Sequence, residues 1–440
     1  MRNNVVASTV ADRLDRLPLS RWHRRMVVLI GLGAFFSFFE VALGSFFSVL
    51  LGAQWTLTTV DRSLIVGSVF LGEMAGSLLL APLADRLGRR TMFQINLIAY
   101  AALSLAAAFS PNLAVFLVLR VLTGVGLGAE LTLVDTYLSE LLPARRRGRY
   151  IAWSYTLGLT AAPVAGILAK SATGAVLGVA GWRWLLILAA GGGFVVWLSR
   201  RRLPESPRWL AATGRAAGAE RVLAAIEQET GPPVEQPAQA AAAPAPPDPG
   251  RYRRRALLMW LMWLLTPVGF YAFASIAPIV LLAKGFDLAH SLTYAALTAL
   301  GYPLGSLVSV GLTERFERRT LVIASTLAAA VFGIAFGFGT NLGVLIGAGV
   351  ATTVSTVVQS NVVHIYQTEL FRTANRSTAI GLPYAASRLV SAVLPIVAVA
   401  LLASIGAGGL YLGCALLLFL MVVAVGVLGP RTNNRPLDAI

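Results

Sequence analysis

Cysteine is all but missing from this chain of 440 residues: Cys414 is the only one, and it lies inside an apolar run. One thiol excludes an internal disulfide and a thiolate metal centre. Charge is scarce as well, at 13%, roughly half the share of a soluble globular chain. Lysine is reduced to Lys170 and Lys284, beside 34 arginines. No phosphate-binding loop, zinc motif or nucleophile elbow occurs, so ATP hydrolysis, metal chemistry and acyl transfer all lack a site. The chain does not read as an enzyme, and no cofactor or metal is expected.

What it has instead is apolar length. Hydrophobic residues make up 57% of it, in runs of about 20 that can each cross a bilayer core of about 30 Å as a helix. The reading is an all-α integral membrane protein. The formal charge of +16 lies mostly between the runs, as cytoplasmic loops require. No recognition fold accompanies it, so nucleic acid is not an expected partner. Residues 1–25 form a polar, Arg-bearing N-terminal segment rather than a cleavable signal, because the apolar run that follows is too long and lacks a cleavage pattern.

Twelve transmembrane helices are expected, near 26–51, 62–83, 91–110, 113–141, 149–171 and 180–199, then 256–284, 291–313, 320–339, 341–370, 376–403 and 406–429. With the N-terminus inside, thirty of the basic residues fall on inside segments; only Arg62, Lys170, Arg183 and Lys284 fall on outside ends. Arg120 and Arg388 fall within helices. That asymmetry places both termini in the cytoplasm. A loop over 200–255 separates the bundles 26–199 and 256–429, and a tail over 430–440 ends the chain. The first part of the loop reads as an amphipathic helix. The stretch 231–250 is Ala/Pro-rich and reads as a linker.

Two knots of charge interrupt the apolar pattern, "PLADRLGRR" (82–90) and "TERFERR" (313–319). Asp85 and Glu314 are 229 residues apart, and so are Arg89 and Arg318, and Arg90 and Arg319. "ELLPARRR" (140–147) and "ELFRTANR" (369–376) keep the same offset. One register shared by two motifs indicates duplication of a six-helix unit as two parallel repeats, a plan that places a binding site between the halves.

These residues resemble the major facilitator superfamily. "GSLLLAPLADRLGRR" is similar to its loop 2–3 motif and "RVLTGVGLG" (120–128) to its helix 4 motif. The two Glu-x6-Arg pairs, "PESPRWL" (204–210) and "PRTNNRPLDAI" (430–440) resemble the sugar-porter and organic-ion branch. Two departures stand out: Arg431 where Glu is usual, and Glu317 where Gly is usual. They predict a reduced ion-pair network in the second half. The glutamines usual in sugar porters are missing from "LLTPVGFYAFASIAP" and "WSYTLGLTAAPVAG". "GAELTLVDTYLSELLPARRRG" and "GLPYAASRLVSAVLP" look more like bacterial aromatic-acid and niacin-type proton symporters.

Charge within a membrane needs a partner or a task. Glu40 and Arg120 fall at matching depth, so they can pair. By the resemblance they are the proton-coupling pair; otherwise they hold helices together. Arg388 falls near mid-membrane on helix 11. It either grips a substrate carboxylate through two parallel hydrogen bonds or pairs with an acid such as Glu73. Glu130 and Asp135 lie closer to the cytoplasm and suit a proton relay or an inner gate, Asp135 chiefly the gate. His364 reads as a satisfied histidine near a helix end. The gate is expected to combine Asp85, Arg89, Arg90, Glu140 and Arg147 with the second-half residues Glu314, Glu369 and Arg376. Among the aromatics Phe35, Phe36, Phe39, Phe270, Tyr271, Phe273, Tyr302 and Tyr384, those expected to stack on a planar substrate are Phe36, Phe39, Tyr271, Tyr302 and Tyr384.

The reading is a monomeric secondary transporter of a bacterial inner membrane, coupling proton movement to uptake of a small organic anion, an aromatic or heteroaromatic carboxylate. A sugar or polyol symporter or a drug exporter is the alternative, and a non-transporting receptor or scaffold a remote one.

Overall fold

The structure, a computed structural model, describes residues 10–143, 146–172, 174–232, 249–285, 288–371 and 376–432, without the side chains of 49, 53, 59, 81, 176, 249, 271–279, 282–283, 288–299, 376–378, 395–396, 399 and 403. Helix starts are written locally. Thr58 and Asp61 form a reciprocal capping box at α2 (Thr59–Leu87), Asn112 accepts from the Val115 N–H at α4 (Leu113–Leu127), and each satisfies a backbone donor that the first helical turn leaves open. Ahead of α2 lies α1 (Arg21–Leu50); α3 spans Arg89–Ala108. The crossing that α4 begins continues, after Gly128 and Ala129, as α5 (Glu130–Leu141). The next consists of α6 (Arg147–Leu159) and α7 (Ala161–Ser171); they part at Thr160, three residues before Pro163, which has no N–H to continue the ladder. A two-strand turn, β1 (Ala175–Val176) with β2 (Val179–Ala180), leads into α8 (Gly181–Arg200).

The amphipathic stretch of the loop is two helices, not one: α9 (Pro207–Ala212) and α10 (Ala216–Thr230). They part at Gly214, whose φ of +80° favours glycine. Most of the expected 231–250 linker lies outside the described residues. The second set comprises α11 (Pro249–Ala283), α12 (Leu288–Leu312), α13 (Arg318–Phe338), α14 (Leu342–Thr368) and α15 (Arg376–Leu428). Gly406, at φ +70°, divides α15 into two crossings. Among the described residues nine helical stretches are long and apolar enough to span a bilayer.

One end of the bundle carries residues 10–17, α9, α10 and 429–432, and is called here the basal face. Arg13 binds Glu220 and Glu227 of α10 at 2.6 and 2.7 Å. Arg208 of α9 binds Asp15 at 2.9 Å and the Glu140 carbonyl at 3.1 Å. The largest buried cluster lies on this side and draws on both sets of helices, with Ala84, Leu138 and Tyr155 from the first and Trp263, Ile365 and Met421 from the second.

The repeat is visible in the contacts. Tyr137 donates to the Pro204 carbonyl and Tyr366, 229 positions on, to the Pro430 carbonyl, both at 2.6 Å. Arg89 donates to the Ala84 carbonyl, and Arg318 to that of Thr313.

Candidate functional site

The glycines of "RVLTGVGLG" place the first buried pair. A Cβ on Gly72 of α2 would stand 2.0 Å from the Val121 carbonyl of α4, and one on Gly128 2.3 Å from that of Glu73. Small residues on both helices thus let the two backbones touch. Arg120, one residue before that contact, donates to Glu40 Oε2 at 2.5 Å and to the Glu40 carbonyl at 2.9 Å. Ser104 of α3 donates to Glu40 Oε1. Both charges are fully buried, and the guanidinium lies 5.4 Å from the Phe47 ring. The pair expected from matching depth is present.

Of the two roles expected of Arg388, the structure shows the pairing with Glu73. Its Nη1 lies 3.4 Å from Glu73 Oε2, and its guanidinium carbon lies 4.3 Å from the Tyr384 ring centroid. It also lines a cavity between the two sets of helices, with Phe38, Tyr155, Trp263, Phe270 and His364 on the wall. Tyr384 supports this wall from behind, 4.9 Å from Trp263.

Phe36 and Phe39 are not on that wall. Phe36 fills the space over Gly192 of α8, where a Cβ would meet its ring at 1.9 Å. Phe39 packs with Leu43 and Leu185 in a separate apolar cluster. The helical turn sends Phe38 toward the cavity instead. Tyr302 contacts Phe270 at 5.5 Å between centroids, and the Tyr271 side chain lies outside the described residues. Phe38, Trp263 and Asn361 are cavity residues that sequence reasoning missed. Phe38 had a signal: it lies between Phe36 and Phe39, two residues expected to stack on a planar substrate, on another helical face.

His364 does more than finish a helix end. Its Nδ1 lies 2.6 Å from Asp135 Oδ2, while Tyr155 donates to Asp135 Oδ1 at 2.9 Å and Gln367 to Oδ2 at 2.5 Å. This cluster ties α5 and α6 to α14, and His364 also faces the cavity. Asp135 and His364 hold equivalent repeat positions, 229 apart. That offset was the signal for the pair.

The charge knots divide into ties within and between the repeats. Arg89 binds Asp85 and Glu140, each at 3.1 Å; Arg318 lies 3.6 Å from Glu369. Arg147 crosses to Glu369 at 3.2 Å and Arg149 to Glu314 at 3.3 Å. Of the residues expected at the gate, Asp85, Arg89 and Glu140 come together within the first repeat. Arg147 reaches the opposite repeat, and Arg90 donates to the Arg201 carbonyl at 2.8 Å. Glu130 forms a fully buried pair with Arg200 at 2.6 Å within the first set, and Arg200 also lies 4.5 Å from the Phe93 ring. The Arg376 side chain lies outside the described residues.

In the second half a tie equivalent to one of the first is made by hydrogen bonds rather than by an ion pair. In the first half Glu205 accepts from the backbone of Arg89 and Arg90 at the start of α3, and only a glycine at 88 admits it, since a Cβ there would stand 2.3 Å from Glu205 Oε2. Burial pushes the Glu205 carboxyl up, against the pull of these N–H groups. In the second half the acid has moved to the helix start. Glu317 replaces the glycine and accepts from the Thr432 N–H at 2.7 Å, while the Thr432 hydroxyl donates to Glu369 at 2.6 Å. The two departures compensate each other, so the tie is kept with its polarity reversed.

A helical membrane protein with duplicated halves, a mostly apolar cavity with a few polar groups between them and one face laced shut has the construction of a transporter. Residues 31–440 match the sugar (and other) transporter family, and the chain belongs to that family of the major facilitator superfamily. It is 26% identical to the niacin transporter NiaP of Acinetobacter baylyi, over 98% of this chain and 99% of that protein. It is 29% identical to the inner membrane metabolite transport protein YgcS of Escherichia coli, over 98% and 97%. The proton:xylose symporter XylE, bound to 6-bromo-6-deoxy-D-glucose, shares the twelve-helix fold at a TM-score of 0.77 and 19% identity, over 95% of this chain and 98% of that one. The protein is a multi-pass membrane transporter and not an enzyme.

Proposed function

We propose that this transporter couples proton movement to uptake of a small organic anion, an aromatic or heteroaromatic carboxylate, by alternating access. It works as a monomer in a bacterial inner membrane, with the basal face in the cytoplasm as the arginine distribution requires. The observation that carries the reading is Arg388. A guanidinium backed by Tyr384 opens onto a cavity walled by Phe38, Tyr155, Trp263 and Phe270. That wall suits a flat ring, and the guanidinium fork suits a carboxylate. The likeness to a niacin transporter agrees with it.

A sugar or polyol is the second reading, favoured by Thr266, Ser360 and Asn361 on the same wall and by the likeness to XylE. A thermal-shift series on purified protein separates the two, because a ligand at a hundred times its Kd stabilises the folded state by about 2.7 kcal/mol. Nicotinate and benzoate are expected to raise the midpoint and D-xylose to leave it unmoved. The reverse order would hand the assignment to the sugar.

The laced basal face acts as the inner gate. Glu369 is its pivot, because it meets Arg147 from the other repeat and Arg318 from its own. Glu369→Gln removes the charge common to both contacts, and breaking such a buried pair costs about 3–5 kcal/mol. A cysteine placed in the cavity should then become at least tenfold more reactive toward a charged thiol reagent added from the basal side, by the order of about 1.4 kcal/mol per decade. Unchanged labelling would show that the gate is held elsewhere.

A further inference from the structure

The two buried ion pairs, Glu40 with Arg120 and Glu73 with Arg388, are joined through one helix contact. Gly72 of α2 touches the Val121 carbonyl of α4. Glu73 follows that glycine directly, and Arg120 directly precedes that valine. The two side chains therefore leave neighbouring points of one interface. The Glu40–Arg120 pair is tight, at 2.5 Å, and the Glu73–Arg388 pair is loose, at 3.4 Å. We propose that Glu73 is a switch which exchanges Arg388 for Arg120 when Glu40 takes up a proton, and so frees Arg388 for a substrate carboxylate. This inference rests on the functional reading above and extends it to the means of coupling.

The charges balance at each step. With Glu40 ionised, Arg120 faces Glu40 and Arg388 faces Glu73. A proton added to Glu40 neutralises it and leaves Arg120 with surplus positive charge in a site that excludes water, where an unmatched ion is costly. Glu73 supplies the nearest negative charge. Its departure leaves Arg388 facing the cavity, and a substrate carboxylate restores neutrality there. Release reverses the order. Ser104 of α3 stands beside Glu40, and Tyr384 and Tyr155 stand beside Arg388, with His364 on the same cavity wall and Asp135 behind Tyr155. Asp135 is already held by His364, Tyr155 and Gln367, so Glu73 is the carboxylate in contact with Arg388. One proton and one monoanion then cross together, so nicotinate uptake is electroneutral.

The test is a double-mutant cycle on the protonation midpoint of Glu40. That midpoint is read from the infrared carbonyl band of its acid form, assigned by its loss in Glu40→Gln. In Arg388→Ala, Glu73 is already released to Arg120, and Glu40 should protonate at least tenfold more readily, a rise of about one pH unit. In the Glu73→Gln background the same Arg388→Ala change should do almost nothing, because its effect runs through Glu73. A direct field effect of Arg388 on Glu40 would instead add in both backgrounds, and that result overturns the switch. Glu73→Asp, which keeps the charge, serves as a second variant and should retain the coupling in part; no coupling in it, with the Glu40 band intact, also counts against the proposal. The cycle needs no substrate, so it stays separate from the assignment of the anion. If the coupling holds but nicotinate neither binds nor crosses, the substrate reading fails and the switch stands.

Discussion

Glu40→Gln should abolish accumulation of nicotinate driven by a pH gradient while leaving exchange of nicotinate across the membrane intact. A gradient of one pH unit stores about 1.4 kcal/mol per proton, which drives about tenfold accumulation in a one-to-one symporter. The variant should reach no accumulation at all. Glu40 is fully buried, and its two oxygens are taken by Arg120 and Ser104. A Gln amide can accept from Arg120 through its oxygen and donate to the Ser104 hydroxyl through its nitrogen, so the local packing survives, but it offers no carboxylate to protonate. The amide stands for the protonated state held permanently. Exchange needs only substrate binding and reorientation, so it continues, and its persistence shows that the variant is folded. Proteoliposomes in which Glu40→Gln accumulates nicotinate as the parent does would remove this residue from coupling and leave the pair with a structural role alone.

How much of this could be read in advance differs between kinds of contact. The duplication was legible because it repeats charged residues at one offset, and the same offset relates Tyr137 to Tyr366 and Asp135 to His364. The Glu40–Arg120 pair was legible because a helix rises by a fixed amount per residue, so depth can be counted along two helices independently. Rotation about the helix axis was not legible in the same way. Phe36, Phe38 and Phe39 are nearly equivalent by composition and depth, and only packing against Gly192 or Gly158 decides which of them turns toward the cavity. Partner choice among arginines was also hidden. Arg147 lies close in sequence to Glu140, yet it binds Glu369 because the repeats close against each other at the basal face. Arg200 reads as an ordinary loop-flanking arginine, but it folds back over Gly33 to bind Glu130 and the Leu29 and Ile30 carbonyls.

Arg388→Ala should weaken nicotinate binding by at least tenfold, about 1.4 kcal/mol, and should weaken nicotinamide far less. The comparison matters more than the loss. Arg388 is at once an ion partner of Glu73, a stacking partner of Tyr384 and a wall of the cavity, so removing it disturbs packing for any ligand. Only the charge-dependent part distinguishes an acid from its amide, which have nearly the same shape. Arg388→Lys is the discriminating companion. A lysine keeps the positive charge but presents one point donor in place of a planar fork, and it cannot stack on Tyr384 in the same way. It should therefore recover only a minor part of the loss. If Arg388→Ala weakens acid and amide equally, the residue shapes the cavity without reading charge. If D-xylose alone then proves sensitive, through Thr266, Ser360 and Asn361, the cavity is a sugar site, and Glu73 is simply the permanent counter-ion of a structural arginine.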